Sequence, residues 1–331
     1  MARGAYILGC EGTTLSDAET RFFKEANPWG FILFARNLDN PEQTYALCDQ
    51  LRDAVGWDAP ILIDQEGGRV ERMGPPHWRH WMPAFEQARI AGPRSFELRY
   101  QLIALELRAA GIDVNCAPLC DVATPDTHPV LHNRCYGEKP AHVALAARAV
   151  VNGLTAGGVL PVVKHMPGHG RSTLDTHLDL PRVAAARDTL DQHDFAPFKA
   201  LNDVGMGMTC HLIFEAFDPQ SPATQSPIMV DVIRNDVGFD GLLMTDDISM
   251  EALSGSVGMR GALSLKAGCD VVLHCNGKLA EMEEIAALGE LSAAAQTRAT
   301  RALAQRKRPD EVDIPSLERE FLALVPGGFN V

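Results

Sequence analysis

The sequence contains no apolar run long enough to cross a membrane. A membrane-spanning helix needs about 18 or more consecutive apolar residues, whereas the longest weakly polar stretch, residues 144–163, is interrupted by Arg148, Asn152, Gly157 and Gly158. The apolar segment near the amino terminus is too short for a secretory signal and runs directly into Glu11. We therefore expect a cytoplasmic protein without a membrane span.

Positive charge is also scarce. The chain has 30 Lys and Arg residues against 43 Asp and Glu residues, which gives a formal net charge of −13 at pH 7. An excess of negative charge opposes attraction to the phosphates of nucleic acids and to anionic lipid surfaces. The composition therefore predicts no nucleic-acid partner and no membrane partner.

The eight cysteines lack the paired spacing of a zinc site. Cys116 and Cys120 come closest, but three residues separate them and no second pair follows. A chain of 331 residues can bury a large core without disulfide or metal support, so we expect free, buried thiols. No glycine-rich dinucleotide fingerprint follows the first predicted strand, which disfavours a Rossmann fold. We expect no cofactor.

What the sequence does contain is a regular alternation of strand and helix patterns. Eight nearly continuous apolar runs are typical of strands that are covered on both faces and pair in parallel. These predicted strands are residues 6–10, 30–35, 60–64, 113–118, 160–165, 206–211, 241–246 and 270–275. Helical patterns lie between them at residues 16–26, 40–55, 95–110, 141–156 and 226–237.

This alternation predicts an α/β fold, a single-domain (β/α)₈ barrel of the TIM type, with an open doubly wound sheet as the alternative. Ser16 with Glu19, and Asn40 with Pro41, are helix-start signals at the expected positions. No linker rich in Ser, Gly or Pro divides the chain, so we expect one catalytic domain over residues 1–331. Residues 279–304 have a helical pattern, and a tail is expected from about residue 306.

Ionisable residues follow several of the predicted strands. Asp64 ends the third run, Lys164 and His165 end the fifth, His211 ends the sixth and Asp246 ends the seventh. Each has an ordinary explanation when taken alone, as a helix cap or a packed histidine. In a barrel, however, catalytic groups lie at the carboxyl ends of the strands. Their joint placement therefore indicates a site.

Residues 175–177 (DTH) have the pattern of a proton donor. Residues two apart in an extended loop point the same way, and a carboxylate beside an imidazole fixes its tautomer and favours its protonated form. The competing interpretation is a metal site formed by His165, His169, Asp175 and His177. The proline and glycines between the first two histidines prevent the usual helical zinc spacing, so we expect no metal.

Five segments carry a resemblance to a known family. Residues 164–170 (KHMPGHG), followed by residues 175–177, resemble two elements of glycoside hydrolase family 3, in particular its cytoplasmic single-domain β-N-acetylglucosaminidases. Residues 245–250 (TDDISM) resemble the nucleophile segment of that family. Two further segments, residues 63–70 (IDQEGGRV) and 133–137 (NRCYG), resemble its sugar-contacting segments.

The likeness runs from about residue 30 to about residue 276 in the order of the family. Met166 replaces the usual phenylalanine, Thr176 and Thr245 replace serines, and Cys135 and Tyr136 replace the common Ser-Phe pair. None of these changes removes a reacting group.

The resemblance implies a retaining mechanism. Asp246 would be the nucleophile that forms a glycosyl-enzyme ester, and His177, oriented by Asp175, would serve as acid and base. Asp247 would be either a support for the loop that presents Asp246 or a helix cap. The implied sugar-binding residues are Asp64, Arg72, Arg134, Lys164 and His165, with His211 as a weaker candidate.

The resemblance also implies a substrate. It predicts exo-hydrolysis of terminal non-reducing N-acetylglucosamine (GlcNAc) from muropeptides that contain 1,6-anhydro-N-acetylmuramic acid, in the recycling of peptidoglycan by a cytoplasmic monomer. Three alternatives stay open. They are a phosphorylase of the same family, a metal-dependent hydrolase on a similar barrel, and a sugar-binding barrel without catalysis.

Overall fold

The computed structural model describes residues 3–174 and 180–330. Nine parallel strands form its main sheet. In sheet order they are Leu160–Pro161, Val114–Asn115, Ile61–Ile63, Pro28–Leu33, Gly4–Leu8, Val271–His274, Leu242–Asp247, Met206–Thr209 and Val163–Met166. The two outermost strands are separated in the chain by Val162 alone, so the sheet returns to its starting point and forms a nearly closed barrel.

Hydrogen bonds also connect Val162 and the strand Val163–Met166 to the segment that follows Val114–Asn115. The Val162 amide donates to the Ala117 carbonyl at 2.9 Å, and the Cys120 amide donates to the Lys164 carbonyl at 2.7 Å. The predicted single-domain (β/α)₈ barrel of the TIM type is therefore confirmed. Each of the eight predicted strands overlaps an observed strand, and the fifth is divided at Val162.

Helices alternate with the strands. The α-helices are Asp17–Ala26, Pro41–Val55, Ala84–Ile90, Pro93–Ala109, Pro129–His132, Pro140–Ala156, Arg187–Thr189, Ala196–Ala200, Pro227–Asp231, Val257–Ala267, Leu279–Ala286, Ala293–Leu303 and Ile314–Leu324. The 3₁₀ turns are Ala35–Asn37 and Ala223–Gln225, and the π-helical turns are Leu190–Asp194 and Val232–Asp236. Ser16 and Glu19 form the predicted capping box, and Asn40 accepts from the Gln43 amide at 2.9 Å.

Alternating side chains of the strands divide the core into two layers. Ile32, Leu62, Val114 and Leu160 are register partners on successive strands, and all four are buried inside the barrel. Their sequence neighbours, such as Ile61 and Ile63, pack instead in the outer layer with the helices. Because side chains alternate along a strand, one apolar run supplies both layers. This explains why the predicted strands are nearly continuous apolar runs.

The helix predicted over residues 279–304 is wrong in one respect, because it consists of two helices. Leu279–Ala286 and Ala293–Leu303 are separated by a turn at Gly289, whose φ is +87°. The Gly289 carbonyl accepts from the Ala5 amide at 2.9 Å. The backbone between the helices thus pairs with the start of the first strand instead of continuing the helix.

The segment after residue 306 packs against the loop that follows the third barrel strand. The helix Ile314–Leu324 buries Phe321 against Trp81, with ring centroids 5.3 Å apart. The short strand Phe329–Asn330 pairs antiparallel with His80–Trp81. The carboxyl-terminal segment therefore packs against the loop that carries two predicted site residues, Asp64 and Arg72.

All eight cysteines are free and buried, as predicted. Burial raises the pKa of the Cys10 and Cys48 thiols to about 12, which keeps them protonated at neutral pH. Within the described ranges, no helix combines the length and apolar character required to span a bilayer.

Candidate active site

Six of the predicted site residues line one cavity of about 140 Å³ at the carboxyl ends of the barrel strands. They are Asp64, Arg72, Arg134, Lys164, His165 and Asp246. The buried side chains of Met208, Leu273 and Cys275 belong to the barrel interior and also line this cavity. Asp175 and His177, the predicted proton-transfer pair, lie outside the described residues.

Asp246 stands near the end of the strand Leu242–Asp247, with 19% of its side chain exposed. One carboxylate oxygen accepts from the Asp247 amide at 2.8 Å, and the other lies 4.0 Å from Nε2 of His165. Burial alone would raise the pKa of Asp246, but His165, His211 and the Asp247 amide outweigh it and hold this pKa below its ordinary value. At neutral pH the cavity thus contains an ionised carboxylate with an open face, as a nucleophile requires.

His165 is oriented by a buried carboxylate that sequence reasoning missed. Asp121 is fully buried, and one of its oxygens lies 2.8 Å from Nδ1 of His165. Its other oxygen accepts from the His169 amide at 2.7 Å. Since Asp121 is ionised, with a pKa that His165 lowers against the effect of burial, the Nδ1–H of His165 donates and Nε2 faces Asp246. Asp121 follows residues 116–120 (CAPLC), and an acidic residue directly after this apolar segment was the available signal.

The Asp121 contact leads to a testable prediction. Asp121→Asn removes the charge that binds Nδ1, so His165 loses its fixed orientation, and we expect kcat/KM to fall by about tenfold to a hundredfold. Steady-state kinetics on an aryl glycoside measures this effect. Asp270→Asn is the matched control, because Asp270 is also buried but binds Arg234 and Arg298 at the opposite end of the barrel. Wild-type kcat/KM in Asp121→Asn would contradict the orienting role.

Asp64 binds two of the cations that line the cavity. Lys164 Nζ lies 2.8 Å from one of its oxygens, and an Arg72 guanidinium nitrogen lies 3.2 Å from the other. Burial would raise the pKa of Asp64, but Lys164 and Arg72 outweigh it and hold this pKa well below its ordinary range. The Gln65 side chain accepts from the amides of Arg72 and Met73 at 2.8 and 3.0 Å, which fixes the loop that carries Arg72.

Arg134 is held by a second carboxylate, Glu66. Its Nε and Nη2 donate to the two oxygens of Glu66 at 2.9 and 2.8 Å. Bidentate pairs of this kind are short and geometrically specific. Glu66 belongs to the segment 63–70, but its role could not be predicted from that segment because its partner is 68 positions away in the chain.

His211, the weaker candidate, does not line the cavity. It is fully buried, with Nδ1 2.8 Å from the Thr224 hydroxyl and Nε2 3.1 Å from the Asp247 carbonyl. Burial lowers the pKa of His211, so the neutral ring donates from Nε2 to that carbonyl. The Asp247 carboxylate accepts from the Ser249 hydroxyl at 2.7 Å and from the Cys275 amide at 3.2 Å. Both residues support the backbone that presents Asp246.

Known proteins resemble this chain over most of its length. The family model described as the glycosyl hydrolase family 3 N terminal domain matches residues 8–305. The chain belongs to glycoside hydrolase family 3. A β-hexosaminidase of Alkalilimnicola ehrlichii is 36% identical over 288 residues, which cover 83% of this chain and 82% of that protein. A β-hexosaminidase of Pseudomonas aeruginosa is 32% identical over 305 residues, with 90% of each chain covered.

A solved structure agrees with these sequence relatives. The crystal structure of NagZ from Neisseria gonorrhoeae matches this family 3 chain with a TM-score of 0.85 at 28% identity, covering 98% of this chain and 96% of that one. The resemblance to family 3 β-N-acetylglucosaminidases is thereby confirmed. The chain is a glycoside hydrolase of the β-N-acetylhexosaminidase type.

A metal site was the competing interpretation of the histidine-rich segment of this family 3 chain. Within residues 3–174 and 180–330, no group of three or more His, Cys, Asp or Glu side chains is arranged to hold a metal ion. The rings of His165 and His169 are 5.4 Å apart, centroid to centroid. The other two members of the considered set, Asp175 and His177, lie outside these ranges.

Proposed function

We propose that this family 3 chain is a retaining exo-β-N-acetylglucosaminidase that forms a covalent ester on Asp246. The observation that carries the proposal is the ionised Asp246 carboxylate in a cavity that also presents Asp64, Arg134 and Lys164. Charge-assisted hydrogen bonds from such groups each contribute about 1.5 to 3 kcal/mol to binding of a hydroxyl-rich ring. The named β-hexosaminidase relatives support an N-acetylated sugar.

The reaction has two balanced steps. In the first, a carboxylate oxygen of Asp246 attacks the anomeric carbon, the bond to the leaving sugar breaks, and the departing oxygen takes a proton from His177. In the second, His177 takes a proton from water, the water oxygen attacks the anomeric carbon, and the ester bond to Asp246 breaks. Two displacements at one carbon retain its configuration.

The substrate we propose is a muropeptide with terminal non-reducing GlcNAc linked to 1,6-anhydro-N-acetylmuramic acid, as in the recycling of peptidoglycan. The barrel-interior side chains that line the cavity support attack at a chain end. Met208 and Leu273, which belong to the buried barrel interior, close its floor, so a glycan enters from one side only. A cavity closed at one end suits a terminal sugar better than an internal one.

The charges in the cavity favour water over phosphate as the acceptor of the glycosyl group. In the described part of the chain, each Lys or Arg that lines the cavity already contacts Asp64 or Glu66. A phosphate dianion needs a cation to hold it, and these carboxylates compete for the cations that are present. The proposal therefore includes hydrolysis instead of phosphorolysis.

The proposal also includes a cytoplasmic monomer that requires no cofactor. The eight unpaired cysteines are usual for a reducing compartment.

One experiment separates this function from its alternatives. The chain is incubated with an aryl β-N-acetylglucosaminide, an aryl β-glucoside and a GlcNAc-anhydro-muropeptide, each with and without phosphate and with and without a chelator. We expect free GlcNAc from the first and third, cleavage of the glucoside about a hundredfold slower, and no effect of phosphate or chelator.

Other outcomes contradict the proposal in distinct ways. A sugar 1-phosphate, identified by its mass, would make the enzyme a phosphorylase. Loss of activity with the chelator and its recovery with added metal would indicate a metal-dependent hydrolase. Binding of the glycan without cleavage would leave a sugar-binding barrel.

A further inference from the structure

Glu66 is a buried carboxylate directly behind the candidate active site. Only 4% of its side chain is exposed, and it is not among the residues that line the cavity. Its two cationic partners, Arg134 and Lys164, do line the cavity. A carboxylate in this position does not contact the substrate directly. It can affect substrate binding through Arg134 and Lys164.

One oxygen of Glu66 binds both cations at once. Oε1 lies 2.8 Å from Nη2 of Arg134 and 2.7 Å from Nζ of Lys164, while Oε2 accepts from Nε of Arg134 at 2.9 Å. The two positive charges are therefore held side by side, although one comes from the loop after the helix Pro129–His132 and the other from a barrel strand. Without the carboxylate, the two cations would repel each other across the cavity wall.

The backbone of Glu66 is fixed as firmly as its side chain. Its amide donates to the Val70 carbonyl at 2.9 Å. Its carbonyl accepts from Nη2 of Arg99 at 2.5 Å and from the Tyr100 hydroxyl at 3.1 Å, both from the buried face of the helix Pro93–Ala109. Gly67, with a φ of +89°, makes this approach possible, since a Cβ there would lie 2.0 Å from Arg99 Nη2.

We infer that Glu66 is a positioning residue that sets the spacing of Arg134 and Lys164 and thereby determines how tightly the enzyme binds its terminal sugar. This inference rests on the proposed function, because it takes Arg134 and Lys164 as sugar-binding groups. In the described part of the chain, Arg134 and Lys164 form their ion pairs with Asp64 and Glu66 and not with Asp246, so their contacts with the sugar are expected to be similar in the ground state and in the transition state. Loss of such uniform binding raises KM and leaves kcat nearly unchanged.

The test is a comparison of Glu66→Gln with Glu71→Gln. Glu71 lies on the same loop and only 7% of its side chain is exposed, but it binds His80 and the Trp81 amide instead of a cation of the cavity. For Glu66→Gln we expect KM to rise about tenfold or more, with kcat within about threefold of the wild type. For Glu71→Gln we expect a lower Tm and an unchanged KM. KM, kcat and Tm are measured for each folded variant.

A merely structural role predicts a different pattern. Glu66→Gln would then resemble Glu71→Gln, with a lower Tm and wild-type KM, and this result would overturn the inference. If Glu66→Gln does not fold, Glu66→Asp replaces it, because Asp keeps the charge but is too short to reach both cations. A KM of Glu66→Asp within about twofold of the wild type would likewise overturn the inference.

The substrate for these assays is whichever aryl β-glycoside the wild type cleaves fastest. Failure of the wild type on the N-acetylglucosaminide is therefore a failure of the proposed function. A normal KM of Glu66→Gln on the substrate that is cleaved is a failure of the inference about Glu66. The two results are separate measurements.

Discussion

Asp246→Ala is expected to lower kcat by at least about a thousandfold while the barrel stays folded. The substitution removes the atom that forms the bond to the anomeric carbon. The fold is expected to survive because the Asp246 side chain is partly exposed and accepts one hydrogen bond, from the adjacent Asp247 amide at 2.8 Å. Turnover of an aryl β-N-acetylglucosaminide and the Tm of both proteins provide the measurement.

Adding azide makes the Asp246→Ala test more specific. A small anion can enter the space left by the carboxylate and attack the same face of the sugar, so Asp246→Ala is expected to form a glycosyl azide with inverted configuration. Asp247→Ala is the matched control, because Asp247 binds Ser249 and the Cys275 amide and is expected to affect stability without giving this product. Activity of Asp246→Ala within about tenfold of the wild type would show that another group is the nucleophile.

His177→Ala is expected to slow cleavage of the natural glycan by about a hundredfold to ten-thousandfold. The sugar that departs from the natural glycan is a poor leaving group and must be protonated, whereas dinitrophenolate departs without protonation. The first step with a dinitrophenyl glycoside is therefore expected to stay within about tenfold of the wild type, and a burst of dinitrophenol follows because the second step still lacks its base. Stopped-flow absorbance and glycan product analysis measure the two effects.

The controls for His177 separate proton transfer from simple loss of a histidine. His142→Ala removes an exposed imidazole on the helix Pro140–Ala156 and is expected to leave both substrates unaffected. Asp175→Asn keeps His177 but removes its proposed partner, and is expected to give an intermediate loss on the glycan. Equal losses on the glycan and the dinitrophenyl glycoside in His177→Ala would remove the acid and base assignment.

The barrel could be predicted from the sequence because each strand is buried on both faces. The inner and outer layers each take alternate residues, so the strand around Leu62 is an unbroken apolar run in the sequence. The interruption of the helix after Leu279 was harder to predict, because it depends on a hydrogen bond between Gly289 and Ala5, which is at the far end of the chain. The local signals were Gly289 and the helix-capping residue Ser292.

The site could be predicted where residues follow strands directly. Asp64, Lys164 and Asp246 stand at strand ends, and barrel topology brings those ends together. Asp121 and Glu66 were missed because their importance depends on partners 44 and 68 positions away. No local pattern reveals that one carboxylate orients an imidazole and another holds two cations.

His211 was predicted as a weaker site candidate but does not line the cavity. It comes shortly after the strand Met206–Thr209, yet its ring is fully buried and donates to the Asp247 carbonyl. Position at a strand end places a side chain near the rim, but packing decides whether it reaches the cavity.

The central claim is that Asp246 forms a covalent bond with the sugar. The most direct measurement uses a fluorinated N-acetylglucosaminyl fluoride whose glycosyl ester hydrolyses slowly, followed by mass spectrometry of the intact protein and of its peptides. The account predicts a mass increase of one fluorinated sugar, located on Asp246 and absent in Asp246→Ala. A label on another residue, or turnover with inverted configuration and no label, would contradict it.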